Sequence, residues 1–83
     1  MAAYIVEAHL PGVFYHRPGP EAEPFVSIGA AVTANDVVGL IELMKSYHEV
    51  KAGMPGMVKS FLAENGVEVE PGQGLVVIED DST

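Results

Sequence analysis

The 83-residue chain has no cysteine. This excludes a disulfide framework, a thiolate metal site and a cysteine nucleophile. Basic side chains are scarce: four Lys and Arg stand against twelve Asp and Glu, for a formal net charge of −8. So acidic a chain is ill suited to nucleic acid, whose affinity comes largely from Lys and Arg on phosphates, and to anionic membranes. It suits partners with basic docking surfaces. No apolar run approaches the ~20 residues of a membrane span. The opening Met1-Ala2-Ala3-Tyr4 lacks the basic and apolar regions of a signal peptide, so a soluble, cytoplasmic protein is expected. His9, His16 and His48 show no metal-ligand spacing, and no metal site is expected. The length allows one domain, 1–83, with a thin core. That favours a module that presents or binds something over a complete enzyme.

What the chain does have is frequent punctuation. Pro11-Gly12, Pro18-Gly19-Pro20, Gly29, Asn35-Asp36, Gly53, Pro55-Gly56, Asn65-Gly66 and Pro71-Gly72 separate short apolar runs. This spacing predicts an all-β sandwich or barrel, with strands near 3–9, 12–16, 25–28, 37–43, 46–52, 57–62 and 75–79. Met57 to Glu64 could pass for a helix, but is too short and too closely bracketed by turn residues.

The chain also repeats itself. A shift of 37 lays Gly29, Val32, Val38, Leu40, Ile41 and Glu42 on Gly66, Val69, Leu75, Val77, Ile78 and Glu79. A shift of 44 lays Leu10-Pro11-Gly12-Val13 on Met54-Pro55-Gly56-Met57. Two copies of a strand-turn-strand unit would each expose an apolar face, and packing them together buries both. The offsets differ because Gly12 and Gly29 are seventeen residues apart, whereas Gly56 and Gly66 are ten apart. An insertion therefore lies within about 14–25. Its three prolines suit a stiff protruding loop, and Phe14, Tyr15 and Phe25 are expected to bracket it with aromatic surface.

Glu42-Leu43-Met44-Lys45 ends one β run, and Tyr47 to Ala52 forms the next. The Met-Lys pair is thus expected at the tip of a hairpin spanning about 42–48, with its amine clear of the body. Under the 37-residue shift Lys45 falls on Ser82. A two-fold relation between the copies would place both chain ends away from Lys45.

These residues resemble the biotinyl domain of the biotin carboxyl carrier protein type, the carrier subunit of acetyl-CoA carboxylase. Glu42-Leu43-Met44-Lys45 looks like that family's Glu-Ala-Met-Lys-Met attachment site, with Lys45 at the biotinylated position. Leu10 to Pro20 is similar to its stretch leading into a protruding "thumb". Phe25-Val26-Ser27-Ile28-Gly29, Asn35-Asp36, Gly56-Met57-Val58, Asn65-Gly66 and Leu75 to Glu79 are further matches. The resemblance implies a flattened β-barrel, or barrel-sandwich hybrid, of two four-stranded sheets with pseudo-two-fold symmetry. It implies biotin attached covalently to Lys45, with Met44, Glu42, Leu43 and Ser46 framing the site. The thumb, through Phe14, Tyr15, Pro18, Gly19 and Pro20, would contact the tethered ring. The implied partners are a biotin-protein ligase, a biotin carboxylase and a carboxyltransferase. The chain itself would be a non-catalytic carrier, ferrying a carboxyl group in acetyl-CoA carboxylase or a related biotin-dependent carboxylase.

Two positions depart from the family pattern. Ser46 stands where a methionine usually follows the lysine, and Leu43 where an alanine usually lies two before it. The chain is also expected to open directly on its first strand, where such carriers usually have an N-terminal segment and a linker. Two alternatives share the residue pattern: a lipoyl or unmodified degenerate carrier, and a small all-β interaction module with no prosthetic group. Lipoyl domains usually have Asp before the lysine and lack the thumb, so Met44 and the insertion favour biotin.

Overall fold

A computed structural model of the chain describes residues 2–80. Eight strands follow in order: β1 (Ala2–Glu7), β2 (Gly12–Tyr15), β3 (Ala31–Val32), β4 (Val37–Leu43), β5 (Ser46–Lys51), β6 (Gly56–Phe61), β7 (Val67–Val69) and β8 (Gly74–Asp80). They form two four-stranded antiparallel sheets, one ordered β1-β8-β6-β3 and the other β5-β4-β2-β7. The extents, 41 × 27 × 19 Å, make the body flat. Its thin axis fits two sheets about 10 Å apart with their outward side chains.

The repeat is a real relation between the sheets. Sheet order maps β1 to β5, β8 to β4, β6 to β2 and β3 to β7. β4 and β8 share one burial pattern, as do β1 and β5. The turns repeat as well: the Thr33 amide bonds to the Asp36 side chain at 2.8 Å, and the Glu70 amide to the Gln73 side chain at 3.1 Å. Even the close approaches correspond. A Cβ on Gly12 would lie 2.3 Å from the Glu42 carbonyl oxygen and 2.7 Å from Ile41 Cγ2; one on Gly56 would lie 2.5 Å from the Glu79 oxygen and 2.7 Å from Ile78 Cγ2. Only glycine lets these strands come so near.

The core lies between the sheets, and every buried side chain among the described residues is apolar. Its members pair across the repeat: Val6 with Val50, Ala8 with Ala52, Val32 with Val69, Val38 with Leu75, and Ile41 with Ile78. One pairing is unequal. Phe14 corresponds to Val58, and the space its ring takes is left by Gly39, which corresponds to Val76. A Cβ at Gly39 would sit 2.5 Å from the Phe14 ring. Large-with-small in one half replaces medium-with-medium in the other, keeping the interior filled.

Three expectations need correction. Phe25 to Ile28 is not a strand: Ser27 to Ala30 turns, with the Ala30 amide on the Ser27 carbonyl at 3.0 Å and Gly29 at φ 94°. The strand begins at Ala31 instead. β3 and β7 were absent from the strand reading because each is only two or three residues long. Phe14 offers no aromatic surface, because its ring is fully buried in the core. Ser82, onto which Lys45 falls in the repeat, lies outside the described residues.

Candidate functional site

Lys45 sits on the two-residue loop between β4 and β5, with Leu43 paired to Ser46 beneath it. Met44 and Lys45 have φ of 52° and 67°, the doubly positive pattern of a type I′ hairpin turn. That turn normally takes Asn-Gly, and neither residue here has the short polar side chain or missing Cβ that eases positive φ. Burial does not compensate, since Met44 is 89% exposed and Lys45 is exposed. The conformation is imposed by the flanking register, which Ile41 and Val50 lock by pointing into the core.

The tip lies far from Ala2 and Asp80, the first and last described residues. Ala2 pairs with Asp80 where β1 starts and β8 finishes. Nearby, the Tyr4 hydroxyl lies against the carbonyl oxygens of Ala52 and Met54, just past the end of β5. The end of β1 that carries Ala2 is thus beside the base of the Lys45 hairpin, and six residues of β5 separate that base from the tip, about 20 Å of strand.

Beside the hairpin is a surface cavity of about 480 Å³, lined by Tyr15, Arg17, Pro18, Gly19, Pro20, Tyr47 and Asn65. Strand alternation builds its floor: Phe14, Ile41 and His48 form one cross-strand row pointing inward, so Tyr15, Glu42 and Tyr47 face out. The Tyr15 hydroxyl donates to Glu42 Oε1 at 3.3 Å. Partial burial first, then the Glu42 carboxylate and neighbouring Tyr47, push the Tyr15 phenol above its ordinary pKa. The protruding loop forms the wall. It is pinched at its neck by the Phe25 amide on the His16 carbonyl, 2.9 Å, and turned at its tip by the Ala22 amide on the Gly19 carbonyl, 3.2 Å. His16 anchors the neck, its ring stacked on Phe61 at 4.2 Å and edge-on to Phe14 at 5.2 Å, with Nε2 2.7 Å from the Ala63 carbonyl. The His16 amide donates to Asn65 Oδ1 at 2.7 Å, which fixes Asn65 against the loop.

The residues expected at the site therefore divide. Met44, Lys45 and Ser46 are exposed at the tip, and Leu43 is half-buried below it. Tyr15, Pro18, Gly19 and Pro20 line the cavity, whereas Phe14 is the floor's buried underside. Glu42 holds Tyr15 rather than the lysine: the one ion pair among the described residues joins Lys59 to Glu79. Arg17, Tyr47 and Asn65 were not anticipated. Tyr47 is the cross-strand partner of Glu42, and Arg17 is the sole arginine. Asn65 was legible only as a turn residue beside Gly66, because only the folded chain brings it to His16.

A bicyclic ring on a flexible arm fits here on one observation. The Arg17 Nε–H is buried with no hydrogen-bond partner, on the wall of a cavity whose volume lies in the range of small-molecule sites. A ring bearing an acceptor oxygen offers what that donor lacks. Among the described residues no group of His, Cys, Asp and Glu could hold a metal ion, and no helix is long and apolar enough to cross a membrane.

The family model described as "Biotin-requiring enzyme" matches residues 6–78. The biotin carboxyl carrier protein of acetyl-CoA carboxylase from Haemophilus influenzae is 35% identical over 79 residues, covering 95% of this chain and 51% of that protein. The same-named protein from Chlamydia trachomatis is 46% identical over 66 residues, covering 80% of this chain and 40% of that one. The chain thus spans about half the length of the curated relatives it matches, or less. Among solved structures, the Kluyveromyces lactis urea carboxylase aligns with a TM-score of 0.77 and 32% identity, over 95% of this chain and 6% of that one. With its eight strands, its Met-Lys turn and these matches, the chain belongs to the biotin/lipoyl family of biotin-requiring enzymes.

Proposed function

We propose that this chain is a biotin carboxyl carrier domain, with biotin held as an amide on the Lys45 amine. The observation that carries the reading is the Met44–Lys45 turn: an exposed amine on a two-residue tip, far from the paired Ala2 and Asp80. A ligase can reach such an amine from most directions. Bound there, biotin would supply a ureido nitrogen that accepts and releases a carboxyl group. The protein's share is positional. β4 and β5 hold the tip, Leu43 and Ser46 close its base, and the cavity wall of Tyr15, Pro18, Gly19 and Pro20 would shelter the ring. Tethering raises the effective concentration of the carried group at each station.

The partners in this reading are a biotin-protein ligase, a biotin carboxylase and a carboxyltransferase, in a cytoplasmic acetyl-CoA carboxylase or related carboxylase. The domain contributes no catalytic residue of its own. Ser46 and Leu43 keep the turn geometry, which supports attachment at Lys45 despite their departure from the family's usual residues. Expression in a host with biotin ligase should add one biotin, detected by streptavidin and by intact mass, and Lys45→Arg should abolish it. A lipoyl mass increment, or an unmodified protein, overturns the reading.

A further inference from the structure

We propose that the cavity beside the hairpin is an anion site in which Arg17 binds a planar carboxylate. Arg17 is the chain's sole arginine, in a protein of net charge −8. Glu21 and Glu23 lie in its own loop. Yet no carboxylate among the described residues pairs with the Arg17 guanidinium. It meets only the Ala22 carbonyl, through Nη1, at a long 3.4 Å, while Nε has no partner. A guanidinium is a flat fork whose Nε and Nη2 edge matches the two oxygens of a carboxylate. Here Nη1 is loosely tethered and the other edge is unmet. Arg17 lines the cavity, and the long Nη1 contact is the one hydrogen bond that turning the fork toward an anion there would give up.

The surroundings suit an anion on a ring better than a bare ion. At about 480 Å³ the cavity far exceeds a lone carboxylate. Pro18, Pro20 and the tyrosine rings offer apolar faces, and Asn65 adds a side-chain amide whose Oδ1 is already engaged by His16. The Asn65 N–H groups are left as donors on a residue that lines the same cavity as Arg17. Resting on the carrier reading, the anion is the carboxyl group being ferried. The cavity would then distinguish a loaded carrier from an empty one: the neutral ring offers the Arg17 fork a single uncharged acceptor oxygen, whereas the carboxyl-bearing ring offers it two charged oxygens that match its edge.

The test begins on protein that cannot carry biotin. In 15N-labelled Lys45→Gln protein, Arg17 gives the single arginine Nε–H signal, because no other arginine exists. Sodium acetate and sodium bicarbonate should shift that signal and the Asn65 side-chain amide saturably, and sodium chloride at equal ionic strength should not. With Arg17→Gln added, the Asn65 response should vanish. With Arg17→Lys, which keeps the charge without the fork, apparent affinity should fall about tenfold. An unsaturable shift, an equal response to chloride, or an Asn65 response unchanged in Arg17→Gln overturns the anion site. A second arm assigns the source. Biotinylated wild-type and Arg17→Gln proteins are loaded with 13C-labelled carboxyl by a biotin carboxylase and then isolated. The label should leave Arg17→Gln several-fold faster, and equal loss rates overturn the assignment to the ferried group. If Lys45 never accepts biotin, the carrier reading fails by itself, while the acetate titration still reports on Arg17.

Discussion

The unequal core pair, Phe14 over Gly39 in one half and Val58 beside Val76 in the other, makes a quantitative prediction. Gly39→Ala places a Cβ 2.5 Å from the Phe14 ring edge and 2.8 Å from the Tyr15 carbonyl oxygen. Both are closer than carbon contacts tolerate, so the substitution should cost about 1–3 kcal/mol by overpacking. Phe14→Val removes ring atoms from a fully buried site and should cost about 2–4 kcal/mol, somewhat less than truncation to alanine. If the two sites were independent, the double mutant would lose about 3–7 kcal/mol, much of the roughly 4–12 kcal/mol available to a chain this size. They share one space, however. With the ring gone, the new methyl loses the two shortest of its close approaches and partly fills the void. The double mutant should therefore be about as stable as Phe14→Val alone, so the coupling equals the Gly39→Ala cost, about 1–3 kcal/mol favouring the pair. Urea unfolding followed by circular dichroism measures all four corners, at roughly 1 kcal/mol per molar shift in midpoint for a small domain. Strict additivity would refute the reasoning that Gly39 exists to seat Phe14.

Other consequences are more local. Gly12→Ala and Gly56→Ala meet equivalent backbone carbonyls at 2.3 and 2.5 Å; each should destabilise by about 1–3 kcal/mol in urea melts, and tolerance at one site alone would break the equivalence of the halves. Met44→Asn relieves positive φ at an exposed position and should raise stability by about 0.5–1 kcal/mol, read as a higher thermal midpoint. For Tyr15, the folded phenol is raised above its unfolded value by partial burial first and Glu42 next. A raised pKa contributes stability that is complete below about pH 10, the unfolded value, and is lost as pH climbs through the folded one. Glu42→Gln should lower the Tyr15 titration, seen in ring NMR shifts, without restoring the ordinary value, because burial is the larger cause. An unchanged titration would detach Tyr15 from Glu42.

The chain written as letters determined more than its strands. Spacing of Gly and Pro, with the 37- and 44-residue offsets, determined a doubled β scaffold with an insertion in one copy and a Met-Lys hairpin tip. Such features are legible because turns and alternation are local, and a duplicated pattern constrains the same φ/ψ choices twice. The repeat even marked Val32 and Val69 as equivalent, although each lies on a strand too short to stand out by composition. Tertiary structure alone decided which aromatic faces which way. Phe14 and Tyr15 are adjacent and alike in sequence, but pleat parity sends the first beneath Gly39 and the second to the cavity. It also decided the company at the site: Arg17 on the wall, Tyr47 from the next strand, and Asn65 held to the loop by the His16 amide. Contacts between residues almost fifty positions apart leave no periodic trace in a sequence, because they depend on how two sheets stack rather than on how any one segment bends.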